Sequence, residues 1–298
     1  MRVNTVASEM VSCLLFWMVC YQPGINRVAV WTWLVERFHS LYDFEIWMYA
    51  SIFHTVTWSS VAICYALYSL QIPWIERHRT SSGPWPWNHA NAKTQAHYGR
   101  VHRQAVIQFV IVYIVLGIPI TAIVGLDKWS MRLDNALVDS RLRYVSPLTI
   151  PSQSTIVLHV AMALVVSSAL VYWRHRLLHR PWWYAFHKRH HEFHHVSILA
   201  ANYNHPVEMV FVAAETGITM NVMTYAFDTH AYALSLWFVL VTIGNAIDHC
   251  GYNVHFWVMP LGMGSSHAKF HDIHHRQLTC NFANTPIWDI VFATARYS

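Results

Sequence analysis

The sequence predicts an all-α fold: a multi-pass transmembrane helical domain with a cytosolic, histidine-rich helical cap. Three observations predict it. Of 298 residues, 55% are hydrophobic and 12% charged, with positive mean hydropathy; a soluble domain carries about 25% charged residues. Four regions are apolar over the roughly 20 residues that a helix needs to cross a bilayer. Finally, there are 22 histidines, and fifteen of them fall between His175 and His275.

In chain order, residues 1–43 are expected to form an amino-terminal membrane-associated segment. Its apolar run Val11–Tyr21 lacks the basic leader and small-residue cleavage site of a signal peptide, and Arg27, Glu36 and Arg37 interrupt the remainder of the segment. Phe44–Leu70 is the first full span, closed by Pro73. Gln104–Leu126 is the second, and Ser154–Trp173 the third, running directly into His175. Val207–Ile247 is apolar in two halves broken near Phe227–His230, which suggests a hairpin of two helices. The 15 Trp and 15 Tyr suit membrane interfaces, where an amphipathic ring meets both apolar and wet surroundings. No repeat or linker divides the chain, so residues 1–298 read as one membrane domain.

Charge orients the spans. Arg77, Arg79, Lys93, Arg100 and Arg103 come after the first, and Arg174, Arg176, Arg180, Lys188 and Arg189 after the third. In the segment 127–153, by contrast, Asp127, Asp134 and Asp139 offset the cations. Lys and Arg mark cytosolic loops, so both basic segments are placed in the cytosol, and the hairpin returns the carboxy-terminal region there. A net charge of +5, scattered along the chain, suits an anionic leaflet and gives no nucleic-acid footprint. Cys13, Cys20, Cys64, Cys250 and Cys280 form no metal-like spacing, which argues against a thiolate site.

The histidines carry the chemistry. His175 and His179 are spaced i, i+4; His187, His190 and His191, and again His271, His274 and His275, are spaced i, i+3, i+4. On a helix these intervals share one face, with neighbours roughly 5–6 Å apart, so imidazoles can converge on a metal. Imidazole serves Zn, Cu, Fe and Ni alike, so the ligand type does not choose the metal. A lone histidine in an apolar helix is more often a hydrogen-bonded structural residue, the reading given to His39, His54 and His159. His78, His89, His97 and His102 read as surface groups. In HKRHHEFHH the triplet spacing occurs twice, as His187/His190/His191 and as His191/His194/His195; the first is preferred, with His194 and His195 as possible additional ligands. Glu208 in YNHPVE and Asp248 in DHCGY are placed to orient imidazoles from behind. Glu208, one turn into an apolar helix, would be costly without such a role.

The order HRLLH, HKRHH, YNHPVE, DHCGY, HDIHH and NF…WD resembles the fatty acid hydroxylase/sterol desaturase superfamily of membrane di-iron enzymes, over about 104–298. The boxes look closest to those of sphingoid-base hydroxylases, with the methylsterol oxidase branch nearby. The resemblance implies two iron ions held by His175, His179, His187, His190, His191, His249, His271, His274 and His275, with His205 a possible tenth. Three features depart from the family: Ser168 stands where relatives often carry an acid, His194 and His195 stand where relatives have non-ligating residues, and the tail after HDIHH is short.

Chemically, the resemblance implies hydroxylation of an unactivated carbon of a lipid, a sphingoid base or a sterol, with dioxygen as co-substrate. An unactivated C–H bond is beyond side-chain acids and bases, so the metal supplies the oxidant. Neutral imidazoles leave two divalent ions unbalanced, and Glu192, Glu208, Asp248 and Asp272 are candidate balancing carboxylates. No flavin, haem or nicotinamide motif occurs, so electrons from NAD(P)H would arrive through a separate haem cytochrome and reductase. The implied location is the endoplasmic-reticulum membrane with the metal site facing the cytosol. A lipid desaturase with the same centre is the alternative within the family. From other classes, a membrane zinc hydrolase should need only about three ligands and an open position, and a metal transporter should carry more polar groups within its spans.

Overall fold

The computed structural model describes residues 26–35, 41–81, 85–88, 91–112, 150–253 and 267–297. The expected run Val11–Tyr21, the second span beyond Val112, the segment 127–149, His39 and His89 lie outside them. The described residues are helical and form no strand; the nearest to one is an isolated bridge between Arg79 and Tyr252.

Helix α1 is Arg27–Val35, and α2 is Leu41–Leu70. The first predicted span is therefore longer at its start, and α2 begins inside the segment expected to end at residue 43. Gln71, at φ 43°, stops α2, and Pro73 opens the short α3, Pro73–Glu76, where its missing N–H costs nothing. Helix α4 is Ala92–Phe109, with Asn91 at its N-cap accepting from Lys93 N and Thr94 N. Helix α5, Gln153–Leu178, starts at Ser152, whose hydroxyl accepts from Thr155 N. It runs past the predicted end at Trp173, so His175 is helical and His179 is its C-cap. A short α6, Tyr184–His187, comes next.

The expected hairpin is present as α7, Pro206–Phe227, and α8, Ala231–Asp248. The break has a local cause: Asp228 is left-handed (φ 48°, ψ 41°) and ends α7, and the His230 ring accepts from Tyr232 N to start α8. Helices α9, His267–Gln277, and α10, Pro286–Val291, complete the chain.

Three helical stretches are long and apolar enough to cross a membrane: Met48–Leu70, Gln153–Leu178 and Ala231–Asp248. Helix α7, which carries Glu208 and Glu215, is not among them. Helix α8 sits centrally, against α2, α5 and α9, while α7 and α10 pack on α5. The core between them contains Met48, Ile156, Val160, Leu164, Met223, Trp237 and Leu240, with Trp31 of α1 edge-on to Tyr232. Between lipid-immersed helices there is little gain from excluding water, so close packing and interhelical hydrogen bonds hold the bundle. Trp237 Nε1 donates to Ser167 Oγ at 3.1 Å, joining α8 to α5. Among the described residues, Leu158 and Val165 of α5 point outward and exposed, as lipid-facing positions do.

Candidate metal centre

The histidine boxes of the sequence meet at one end of this bundle. Helix α5 delivers His175 in its last turn and His179 at its cap; α8 delivers His249 at its cap; α9 carries His271, His274 and His275. Between α5 and α7 the chain keeps right-handed helical backbone from Tyr184 through Lys188 and Arg189 into a 3₁₀ turn, His190–Glu192. The helical spacing assumed for HKRHH therefore holds. It ends at Phe193 (φ −87°, ψ 81°), so the second reading of the triplet has no helix to stand on.

Nine imidazoles converge, in two groups. His175, His179, His187, His191 and His274 form one; His190, His249, His271 and His275 form the other, and within each group the candidate ligand atoms all lie within 4.8 Å of one another. In the first, His187 Nε2 lies 3.0 Å from the Nε2 atoms of both His175 and His191, and His179 Nε2 lies 3.1 Å from that of His274. In the second, His271 Nε2 is 2.9 Å from His249 Nε2 and 3.0 Å from His275 Nε2.

The two triplets are split between the groups in a reciprocal way. His187 and His191 enter the first while His190 enters the second; His271 and His275 enter the second while His274 enters the first. Helical geometry explains this. At about 100° per residue, i and i+4 are only about 40° apart, whereas i+3 lies about 60° to the other side of i. Each pair shares a centre and the intervening histidine reaches across to the other.

These residues fit metal ions. Nδ1 of His175 donates to Phe282 O (2.7 Å), that of His274 to Cys280 O (2.6 Å), that of His249 to Asn245 O (2.8 Å) and that of His275 to Phe193 O (2.9 Å). Nδ1 of His187 donates to Glu208 Oε1 at 2.7 Å. An imidazole whose proton is committed at Nδ1 presents a lone pair at Nε2. For these five rings the Nε2 lone pairs point at neighbouring ring nitrogens, an arrangement that a cation would satisfy. Burial is the main reason that these rings stay neutral. It holds His187, His190, His191, His271 and His275 well below the ordinary histidine range, lowers His274 to about 4 and lowers His179 to about 2.

Other expected site residues have different surroundings. Glu208, only 2% exposed, backs His187 and lies 4.0 Å from Arg174. Asp248 is buried, but the adjacent His249 uses Asn245 O as its Nδ1 acceptor. Asp272 is fully buried and faces Arg276, with Nε 3.0 Å from its carboxylate, rather than a clustered imidazole. His205 is the N-cap of α7, its Nδ1 accepting from Val207 N, and belongs to neither group. His194 is exposed and His195 half-buried, both outside the groups. His102, expected at the surface, is half-buried and bonded to Tyr65 Oη at 2.6 Å. Ser168, where relatives often carry an acid, accepts from Trp288 Nε1 at 2.9 Å and so ties α5 to α10.

Sequence reasoning missed the backbone acceptors. A carbonyl has no residue signature, so Phe193, Asn245, Cys280 and Phe282 gave no sign of their part. The NF…WD box was the available signal: Asp289 accepts from Phe282 N and Ala283 N, both at 2.8 Å, and so holds the loop that supplies two of these carbonyls.

The fold and site together define a helical membrane protein with a double histidine cage suited to metal. The fatty acid hydroxylase family model matches residues 160–294, a stretch that contains all nine clustered histidines. This match, with the relatives that follow, supports a place for that stretch in the fatty acid hydroxylase/sterol desaturase superfamily. It is similar to methylsterol monooxygenase 2-2 of Arabidopsis thaliana (33% identity over 159 residues) and to very-long-chain aldehyde decarbonylase GL1-11 of Oryza sativa subsp. indica (36% over 159 residues). Each of these matches covers 50% of this chain and 56% of the relative. Fatty acid hydroxylase domain-containing protein 2 of Homo sapiens is 32% identical over 127 residues, covering 42% of this chain and 35% of the relative. The chain thus spans about half the length, or less, of these relatives. No solved structure matches.

Proposed function

We propose that the protein is a membrane di-iron oxygenase that hydroxylates an unactivated carbon of a lipid, a sphingoid base or a sterol. The observation that carries this reading is the pair of converging imidazole groups at one end of an apolar helix bundle. His175, His179, His187, His191 and His274 would hold one ion, and His190, His249, His271 and His275 the other. When bound, the irons supply the reducing electrons for dioxygen activation, chemistry that no side chain here offers.

The chain's own residues would bind, orient and exclude. Backbone carbonyls and Glu208 fix the ring orientations, and burial of the rings keeps them unprotonated at neutral pH. The lipid is expected to enter sideways from the bilayer. A cavity of about 500 Å³ at the start of α7, against Arg189 and Glu192, combines polar Gln104 with apolar Ile107, Ile111 and Met209, a lining that suits an amphiphile. Electrons would come from NAD(P)H through a haem cytochrome and its reductase on the cytosolic face, in the endoplasmic-reticulum membrane. The plant relative named as a methylsterol monooxygenase supports monooxygenation and keeps sterols beside sphingoid bases as substrates.

Isotopically labelled dioxygen tests the reading. Lipids from cells expressing the protein should contain a product with one atom from dioxygen and none from labelled water, absent with His271→Ala. A product carrying a new double bond and no labelled oxygen would show the desaturase instead. Oxygen incorporated from water would point to hydrolytic metal chemistry and end the oxygenase reading.

A further inference from the structure

The clustered rings are not all backed alike. In the five-histidine group, His187 donates to a carboxylate, Glu208, while His175 and His274 donate to the carbonyls of Phe282 and Cys280. In the four-histidine group, His249 and His275 donate to the carbonyls of Asn245 and Phe193.

The Phe282 carbonyl has a further feature. It belongs to the same peptide unit as the N–H of Ala283, and that N–H donates to Asp289 Oδ2 at 2.8 Å. A continuous chain therefore runs from the Asp289 carboxylate, through one peptide, to Nδ1 of His175 at 2.7 Å. The other carboxylate oxygen accepts from Phe282 N at 2.8 Å and from Thr294 Oγ1 at 2.7 Å. The Cys280–Asn281 peptide repeats the pattern with a neutral acceptor: its carbonyl takes the proton of His274 Nδ1, and its N–H donates to Thr294 O at 3.1 Å. Asp289 is fully buried, as is Asn281, whose amide pins the loop to Phe270 O and to the backbone of Arg296. Ala246, which comes after Asn245, lies within α8, where its N–H serves the helix.

Hydrogen bonds in series polarise one another. An anion pulling on the Ala283 N–H enriches the Phe282 oxygen, which draws harder on the His175 proton and leaves more electron density at Nε2. A carboxylate bonded directly to a ligand ring acts in the same direction. We propose that Asp289 is a positioning residue that acts through the Phe282–Ala283 peptide on His175. With Glu208, it makes the five-histidine group the stronger donor and tighter metal position of the two. This rests on the metal reading above.

The test uses cobalt(II) as the probe, added to the full-length, metal-stripped protein in detergent and followed by its visible absorption. Wild type should take up two equivalents, and the five-histidine variant His175→Ala and the four-histidine variant His271→Ala identify which equivalent belongs to which group. Asp289→Asn keeps the shape and one acceptor but removes the charge. It should weaken the five-histidine equivalent by about tenfold, the low end for groups one bond removed from a ligand, shift that equivalent's absorption and leave the other unchanged. Metal-free melting should fall, because the new NH2 faces one of the two backbone N–H groups, so the site-specific weakening and the shifted absorption are the deciding readouts. Should Asp289→Asn not fold, Thr294→Val removes one anchor of the carboxylate and should weaken the same equivalent by a smaller factor. Two equivalents titrating as in wild type in whichever variant folds, or weakening confined to the four-histidine equivalent, would overturn the inference. A wild-type protein that takes up no cobalt would overturn the metal reading itself.

Discussion

Replacing Glu208 with glutamine separates a role in metal binding from a role in folding. Glu208 Oε1 accepts from His187 Nδ1 at 2.7 Å, and both side chains are almost fully buried. Burial pushes the Glu208 carboxyl up to about 8, so above that pH the amide of Glu208→Gln still accepts the proton, the shape survives and only the charge is lost. A hydrogen bond to a charged group contributes about 1.5–3 kcal/mol and a neutral one about 0.5–1.5. The difference, about 1–1.5 kcal/mol, corresponds to roughly five- to tenfold weaker metal binding at His187. Stability of the metal-free fold should move the other way or not at all. Arg174 keeps its partner Glu215, and a buried carboxylate is replaced by a neutral isostere. Glu208→Ala should cost the fold about 1–3 kcal/mol, because it strands the His187 N–H in the interior. The assay is iron(II) titration paired with metal-free melting for both variants. Glu208→Gln with wild-type affinity, or with an affinity loss matched by an equal loss of metal-free stability, would refute the reasoning.

Three further outcomes are expected. Protein purified without added zinc should hold about two ions per chain; His187→Ala with His271→Ala should hold few, and His194→Ala or His195→Ala should retain them, as metal analysis would show. Metal-free protein should lose stability as pH falls. The unfolded chain binds protons near pH 6.5, whereas the folded His274 waits until about 4. The loss attributable to this ring should therefore begin below about pH 6.5 and approach on the order of 3 kcal/mol by pH 4, measured by denaturant titration at each pH. Cysteines placed at the exposed Lys188 and Lys269 should label from the same side of the membrane, and labelling from opposite sides would contradict a shared histidine centre.

Much of this fold was legible in the sequence because lipid imposes a simple rule. A helix apolar all round for 20 or more residues has few alternatives to spanning, so α2, α5 and the α7–α8 break at 228–230 could be seen as patterns. Eight of the nine clustered histidines were legible as side chains at helical intervals, and the ninth, His249, only through the family resemblance. Their division into five and four was not, since spacing places residues on a face without fixing the 40° or 60° offset that sends His190 and His274 across. His205 misled because a ring nitrogen caps a helix as readily as it binds metal. Asp272 misled because its neighbour in sequence is a histidine, whereas its partner in space is Arg276. The carbonyl acceptors were out of reach in principle, every residue having one.

The lateness of α9 in the chain has a consequence for biosynthesis. Its three histidines serve both groups, and two of the rings, His175 and His274, are oriented by a loop that comes later still, at residues 280–283. A ribosome adds residues in order, and upstream elements settle first. The transmembrane helices are therefore inserted while each group still lacks members, and ion capture must be one of the last steps of maturation. Chains arrested before residue 267 should reach the membrane and carry no tightly held ion. If the centre takes iron as proposed, a cell short of iron would then accumulate inserted, empty protein that can be loaded afterwards.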